Sequence, residues 1–311
     1  MQVRGTPGSE IRWNGRELPV GGSGFILLVT LTYLVVGVVE FALWQLTGHF
    51  AWVEQFFRFP SAILLVWLSG AQLWFSIQVC GEFSSGEPML VAWRWIAVSA
   101  ACDFAGSLAI QVLGATSALN PLSYLPLWSP LIASRIYEVG HILAGPCRFG
   151  LLAAGLFCVL KLYRESGFLG RLHALDWALL AGFATYGLRV AAGIFAAVQR
   201  GKQPGWGEIL RWPVDPLLCL LLAEALLLHR SVQRTGPGLV GRCWVTFSRG
   251  VVLILAGDVL LWATAYGYLP WPWSSLGWYV WLPAAAAFAL APAYQLEAIR
   301  WASSGHDAPP E

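Results

Sequence analysis

Charge is scarce in this sequence. Asp, Glu, Lys and Arg make up 12% of its 311 residues, about half the share of an ordinary soluble domain. Lysine is almost missing, with Lys161 and Lys202 alone. No basic run occurs, which removes the electrostatic footprint that nucleic-acid binding rests on. The cysteines at 80, 102, 147, 158, 219 and 243 form no CxxC pair and no metal-finger spacing. Most sit in apolar stretches, so they read as small buried thiols and not as a disulfide framework. No GxSxG, HExxH or phosphate-cradling glycine loop stands on a suitable element. A haem held by two histidines is excluded because only His141 lies well inside an apolar stretch. No cofactor is expected from these residues.

What fills the chain is apolar. Hydrophobic residues make up 57% and the mean hydropathy is +0.62, which leaves almost no room for a soluble domain. A bilayer crossing needs about 20 apolar residues. Eight stretches are marked by that rule, the sixth falling short of it: Phe25–Leu46, Ser61–Cys80, Val91–Leu113, Tyr137–Leu162, Asp176–Val198, Pro213–Leu228, Thr246–Tyr268 and Leu276–Ile299. The sixth is the shortest, with a possible break at Pro216. The expected fold is all-α: a polytopic integral membrane protein, a bundle of about eight transmembrane helices, both termini cytoplasmic. Residues 1–24 read as a polar cytoplasmic tail, 25–299 as a single transmembrane helical domain and 300–311 as a short cytoplasmic tail. The first stretch lacks the layout of a secretory signal and reads as a retained span. The loop at 115–133, with Pro121, Pro126 and Pro130, reads as interfacial chain and not as a further crossing.

Orientation follows from Lys and Arg. With eight spans, Arg58, Arg135, Arg200, Lys202 and Arg211 fall on one side, Arg148 and Arg189 fall inside spans, and every other cation falls on the side of the termini. The basic side is cytoplasmic, and the expected location is a plasma membrane such as a bacterial inner membrane. Many of the 18 tryptophans, among them Trp44, Trp52, Trp93, Trp128, Trp177, Trp212, Trp271, Trp273, Trp278 and Trp281, read as an aromatic belt at headgroup level.

The fourth stretch carries the most unusual pattern. Glu138, His141, Gly145 and Arg148 share one face of a regular helix, since their spacings are three, four and three. A stripe of acid, imidazole and guanidinium cannot face lipid cheaply and must look into protein or a wet cavity. Toward the outer face, Glu40, Glu138, His141 and Asp215 form a candidate cluster. It could relay protons, since imidazole titrates near neutrality. It could hold a divalent metal only weakly, because the second ExxH of a di-metal helical site is missing; no metal site is expected. Near mid-depth lie Asp103, Arg148, Arg189, Glu224 and Asp258, three acids against two arginines. A charge at the bilayer centre costs at least ~2.5–3.5 kcal/mol, so pairing is expected. Two Arg–carboxylate pairs leave one acid over. Glu224, with Leu217, Leu220, Leu221, Leu227 and Leu228 as helical neighbours, is the proton-binding candidate. Gly182, Thr185, Arg189, Gly193 and Ala196 form a small-residue stripe that predicts a tight helix–helix contact around Arg189.

These residues suggest a small transporter or permease with a buried polar pathway, proton-coupled, carrying a small-molecule or lipid-like substrate. Two other classes fit the same residues. One is an intramembrane enzyme acting on a lipid-linked substrate through Cys147 or Glu138 and His141. The other is a non-catalytic subunit or sensor module that docks partner membrane subunits through its helices. Reactivity of Cys147 toward an alkylating probe separates the second class from the first, and purification as a stable monomer argues against the third.

Overall fold

The computed structural model describes residues 11–13, 16–18, 22–48, 50–113, 130–169, 172–201, 213–235, 239–265, 267–269 and 276–303. Apart from a short antiparallel hairpin, β1 (Ile11–Trp13) with β2 (Arg16–Leu18), the described chain is helical. The helices are α1 (Gly22–Thr47), α2 (Phe50–Glu82), α3 (Pro88–Leu108), α4 (Pro130–Ile142), α5 (Arg148–Glu165), α6 (Ala174–Gln199), α7 (Val214–Thr235), α8 (Leu239–Ala265) and α9 (Leu276–Ser303). A π turn at Ala109–Leu113 extends α3, and a second at Leu143–Cys147 joins α4 to α5 in one rod.

A helix occupies each of the eight apolar stretches. Six rods are long and apolar enough to cross a membrane: Gly22–Thr47, Pro60–Glu82, Pro88–Val112, Ile132–Glu165, Gly241–Leu260 and Tyr279–Trp301. The protein is thus an integral, multi-pass membrane protein. Its skin agrees with that: Leu28, Val35, Val38, Leu46, Phe157, Leu188 and Val259 are all exposed. In water such a surface would be an aggregation liability. The inside is correspondingly polar in places, with Ser61, Ser69, Gln72, Ser76 and Ser99 buried. Lipid offers such groups no partner, so they turn inward: Ser61 meets the Tyr33 hydroxyl, Ser69 donates to the Val66 carbonyl and Ser99 to the Arg148 carbonyl, whereas Ser76 Oγ and Gln72 Nε2 have no partner among the described residues.

Prolines mark the starts. Pro88 and Pro130 open α3 and α4, and Pro216 sits in the first turn of α7. At those places the missing N–H would have had no helical partner anyway. So Pro216 starts the sixth helix and does not break it, which corrects the expected interruption.

The main core runs through α2, α3, α5, α7, α8 and α9, with Trp93, Leu156, Leu221, Trp244, Phe247 and Phe288 fully buried. A smaller one joins α1, α2 and α9 around Ile26, Leu68 and Leu282. Helix α6 packs on α7. Trp93 is 0% exposed and stacks at 5.9 Å from Trp244 and 6.4 Å from Phe247. It is a core residue and does not belong to the headgroup belt. Two neighbouring aromatic rings, an indole and a phenyl, gave it a better partner than the interface. Trp128, Trp212, Trp271 and Trp273 lie outside the described residues, as do the side chains of Trp52 and Trp278. The interfacial loop expected at 115–133 lies outside them up to residue 129; from Pro130 the chain is already α4.

Candidate functional site

The close approach of α3 to the α4–α5 rod builds the site. Glycine makes it possible. A Cβ on Gly106 would stand 2.6 Å from the Ala144 backbone nitrogen and 2.8 Å from the Gly140 carbonyl oxygen. A Cβ on Gly155 would meet the Ala92 carbonyl at 3.1 Å. The two rods therefore run antiparallel and nearly backbone to backbone, as small residues allow in lipid.

Between these two contacts lies an ion pair. Arg148 Nη1 donates to Asp103 Oδ1 at 2.8 Å. Asp103 is 4% exposed and Arg148 9%. The Ser99 hydroxyl donates to the Arg148 carbonyl at 2.8 Å. The guanidinium carbon stands 4.9 Å from the ring centre of Phe288 and 5.2 Å from that of Phe149, cation–π distances that stabilise a desolvated charge. Arg148 Nε and Nη2 have no hydrogen-bond partner among the described residues. The pair is thus half-satisfied: one strong charge-assisted bond, two aromatic faces and two idle donors.

The π turn at Leu143–Cys147 aims that guanidinium. Pro146 has no N–H and its ring clashes with the carbonyl four residues back. The ladder widens there, and the Arg148 N–H reaches the Leu143 carbonyl, five residues back. One extra residue in a turn rotates the rest of the helix by about 100°. The face shared by Glu138, His141 and Arg148 in a regular helix is therefore split, which corrects that expectation. Arg148 turns into the bundle. Glu138 takes Arg135 as its ion-pair partner at 3.3 Å on the rod's surface. His141 stacks edge-on against Tyr137 at 4.5 Å.

Among the described residues the outer cluster is not brought together. Glu40 is half-buried on α1, which packs mainly against α2 and α9. Its carboxylate lies within electrostatic range of Tyr33 and Tyr279. Asp215 opens α7, and its side chain lies outside the described residues. Among the described residues no three His, Cys, Asp or Glu side chains gather as metal ligands do. Helical periodicity placed these groups at similar depths but could not place their helices side by side.

Of the mid-depth charges, Glu224 is 5% exposed on α7, and its Oε2 has no partner among the described residues. It does not neutralise Arg148. Gly145 faces Val214 at 3.2 Å from its virtual Cβ, so Glu224 lies roughly 10 Å further along the parallel helices than Arg148, at 1.5 Å per residue. The Ser248 hydroxyl donates to the carbonyl of the next residue, Ala225, at 2.8 Å, which binds α7 to α8 at this level. Asp258 is half-buried on α8. Arg189 is exposed on α6, and no Cβ at Gly182 or Gly193 would have a neighbour within 4 Å. Among the described residues no helix packs on the stripe at Gly182 or Gly193, contrary to expectation.

A second buried pair was not expected from the sequence. Asp176, fully buried, accepts from Arg230 Nη2 across α6 and α7, and its other oxygen accepts the His173 N–H at 2.8 Å. An acid in the first turn of a helix was the available signal. Ser23 donates to Glu297 Oε1 at 2.5 Å, and Arg300 Nε donates to Glu82 at 3.0 Å, tying α1 and α2 to the end of α9. Away from these charges, an apolar groove of about 600 Å³ opens between α1, α2 and α3, walled by Phe25, Trp67, Trp74 and Phe104. Comparison with protein families, with curated proteins and with solved structures finds no match in any of the three.

Proposed function

We propose that the protein is a small proton-coupled permease in which Glu224 binds the coupling proton. One observation carries this reading: a carboxyl group 5% exposed, with Oε2 unpartnered, inside a bundle core built around Leu218 and Leu221. A carboxylate can adapt to such a place by taking a proton, whereas an arginine cannot lose one. The Asp103–Arg148 pair then acts as a layer across the path, with its two idle donors available to a passing acceptor. The same reading takes all eight rods as crossings, with both termini on the cytoplasmic side of a plasma membrane of the bacterial inner-membrane kind. In its favour, Ser23 and Glu297 meet, so the first helix begins and the last one ends at the same end of the bundle. The cargo in this reading is a small-molecule or lipid-like substrate.

Reconstituted vesicles carrying an internal pH dye test it. Addition of pooled small-molecule or lipid-like substrates outside wild-type vesicles is expected to acidify the lumen. Glu224→Gln is expected to abolish that signal while keeping the wild-type melting temperature in detergent. Undiminished proton movement in Glu224→Gln, or none in the wild type, would overturn the proposal.

A further inference from the structure

Helix α6 presents two different faces. One, with Asp176 at its start, packs on α7. Outside that contact Arg189, Leu188, Phe195 and Val198 are all exposed. Among the described residues Arg189 enters no ion pair. If α6 crosses the bilayer, a clause that rests on the eight-span reading above, Arg189 sits deep. It stands roughly 22 Å from the first residue of α6 and roughly 15 Å from the last, at 1.5 Å per residue. Helical side chains lean toward the N-terminus, here away from the nearer surface, so snorkelling to headgroups is disfavoured. An always-charged guanidinium at that depth needs a partner in the membrane.

The surface around it is shaped for one. Gly182 and Gly193 lie seven residues before and four residues after Arg189, on its face, with open space where a side chain would be. Another helix can approach to backbone distance on either side of the arginine. We propose that this face of α6 docks a transmembrane helix of another protein that carries one carboxylate near its mid-depth. Charge complementarity selects this occupant over a second copy of the chain. A two-fold contact of α6 with itself would set Arg189 against Arg189. Of the chain's own deep acids, Asp103 and Glu224 are buried in its core, and Asp258 is half-buried on α8 with an interaction of its own.

The test uses the full-length protein in lipid vesicles at pH 8, donor-labelled. The probes are acceptor-labelled 25-residue Leu/Ala helices with a central Glu, Gln or Lys. Energy transfer is expected to show the Glu helix binding about tenfold tighter than the Gln helix. Arg189→Gln should erase that difference, and Arg189→Glu should shift the preference to the Lys helix. Equal binding of the Glu and Gln helices, or a difference that survives Arg189→Gln, overturns the proposal. So does self-association of the wild type that Arg189→Gln abolishes, which would assign the face to a second copy. Impermeant labelling of Leu172→Cys and Arg200→Cys in a cysteine-free background tests the crossing separately. Labelling from one side only removes both the crossing and the docking, whereas labelling from opposite sides with no Glu preference removes the docking alone.

Discussion

Arg148 shows what one charge demands when water is absent. The residue is 9% exposed, and its guanidinium depends on a single carboxylate, Asp103, with Phe149 and Phe288 sharing the rest of its surroundings. Removing one member of such a pair leaves a buried uncompensated charge, at about 3–5 kcal/mol. Asp103→Asn is therefore expected to destabilise the detergent-solubilised protein by about that amount, read as a lower melting temperature. The double variant Asp103→Leu, Arg148→Met removes both charges and should regain most of the loss. If the double variant melts below Asp103→Asn, the pair is not the source of the cost. A milder case lies outside the membrane, just before α3. The Ser84 hydroxyl at 2.7 Å, with its N–H at 3.0 Å, holds the Glu87 carboxyl below its usual pKa. A depressed carboxylate stabilises the fold above its unfolded pKa, and that contribution disappears as pH falls through the folded value. Ser84→Ala should raise the Glu87 titration midpoint toward that of an ordinary glutamate in an NMR titration; an unchanged midpoint would assign the shift elsewhere.

At the scale of elements, a glycine's worth depends on what faces it. A Cβ on Gly106 would meet the backbone of the α4–α5 rod at 2.6 Å, whereas one on Gly182 would enter open space. Gly106→Ala must push two helices apart, at about 1–3 kcal/mol, and should lower the melting temperature. Gly182→Ala meets nothing and gains up to about 1 kcal/mol of helix propensity. Equal effects would mean that α3 and the rod do not touch there. The same contrast shows what could be read from residue order. The locations of the helices were legible, because twenty apolar residues in a row permit little else. That Arg148 would take a carboxylate was legible too, since it lies in an apolar stretch; that Asp103 and not Glu224 or Asp258 would supply it was not. The split between Arg148 and Glu138 was not. It follows from one proline, Pro146, whose widened turn defeats any count of three and four. Nor was the separation of Glu40 from Glu138, because depth comes from position along a helix but neighbourhood comes from the packing order of helices. Gly106 and Gly182 look alike in sequence; one is a contact and the other an open face for the same reason.

For the whole molecule, the question is whether α6 and α7 cross. The basic bias does not separate eight crossings from six, since returning Arg200, Lys202 and Arg211 to the cytoplasmic side would sharpen it. Neither do the ends of the chain, because dropping two helices keeps both termini on one side. Length favours crossing for α6, whose 26 residues reach roughly 39 Å at 1.5 Å per residue against a hydrocarbon core of about 30 Å; α7 has 22 residues, but its apolar part ends at Leu228, before His229, Arg230 and Arg234. Their antiparallel pairing, closed at one end by Asp176 and Arg230, places the turn after α6 at the opposite end from the turn before it. That turn decides the matter. In a cysteine-free background, Ser85→Cys and Ser166→Cys are expected to react with an impermeant maleimide only after the membrane is opened. Arg200→Cys and Tyr268→Cys are expected to react in intact cells. With six crossings Tyr268 would still react from outside and Ser85 and Ser166 would still be shielded, so only Arg200 would change sides. Shielding of Arg200→Cys in intact cells would therefore reduce the bundle to six crossings and return the guanidinium of Arg189 to water.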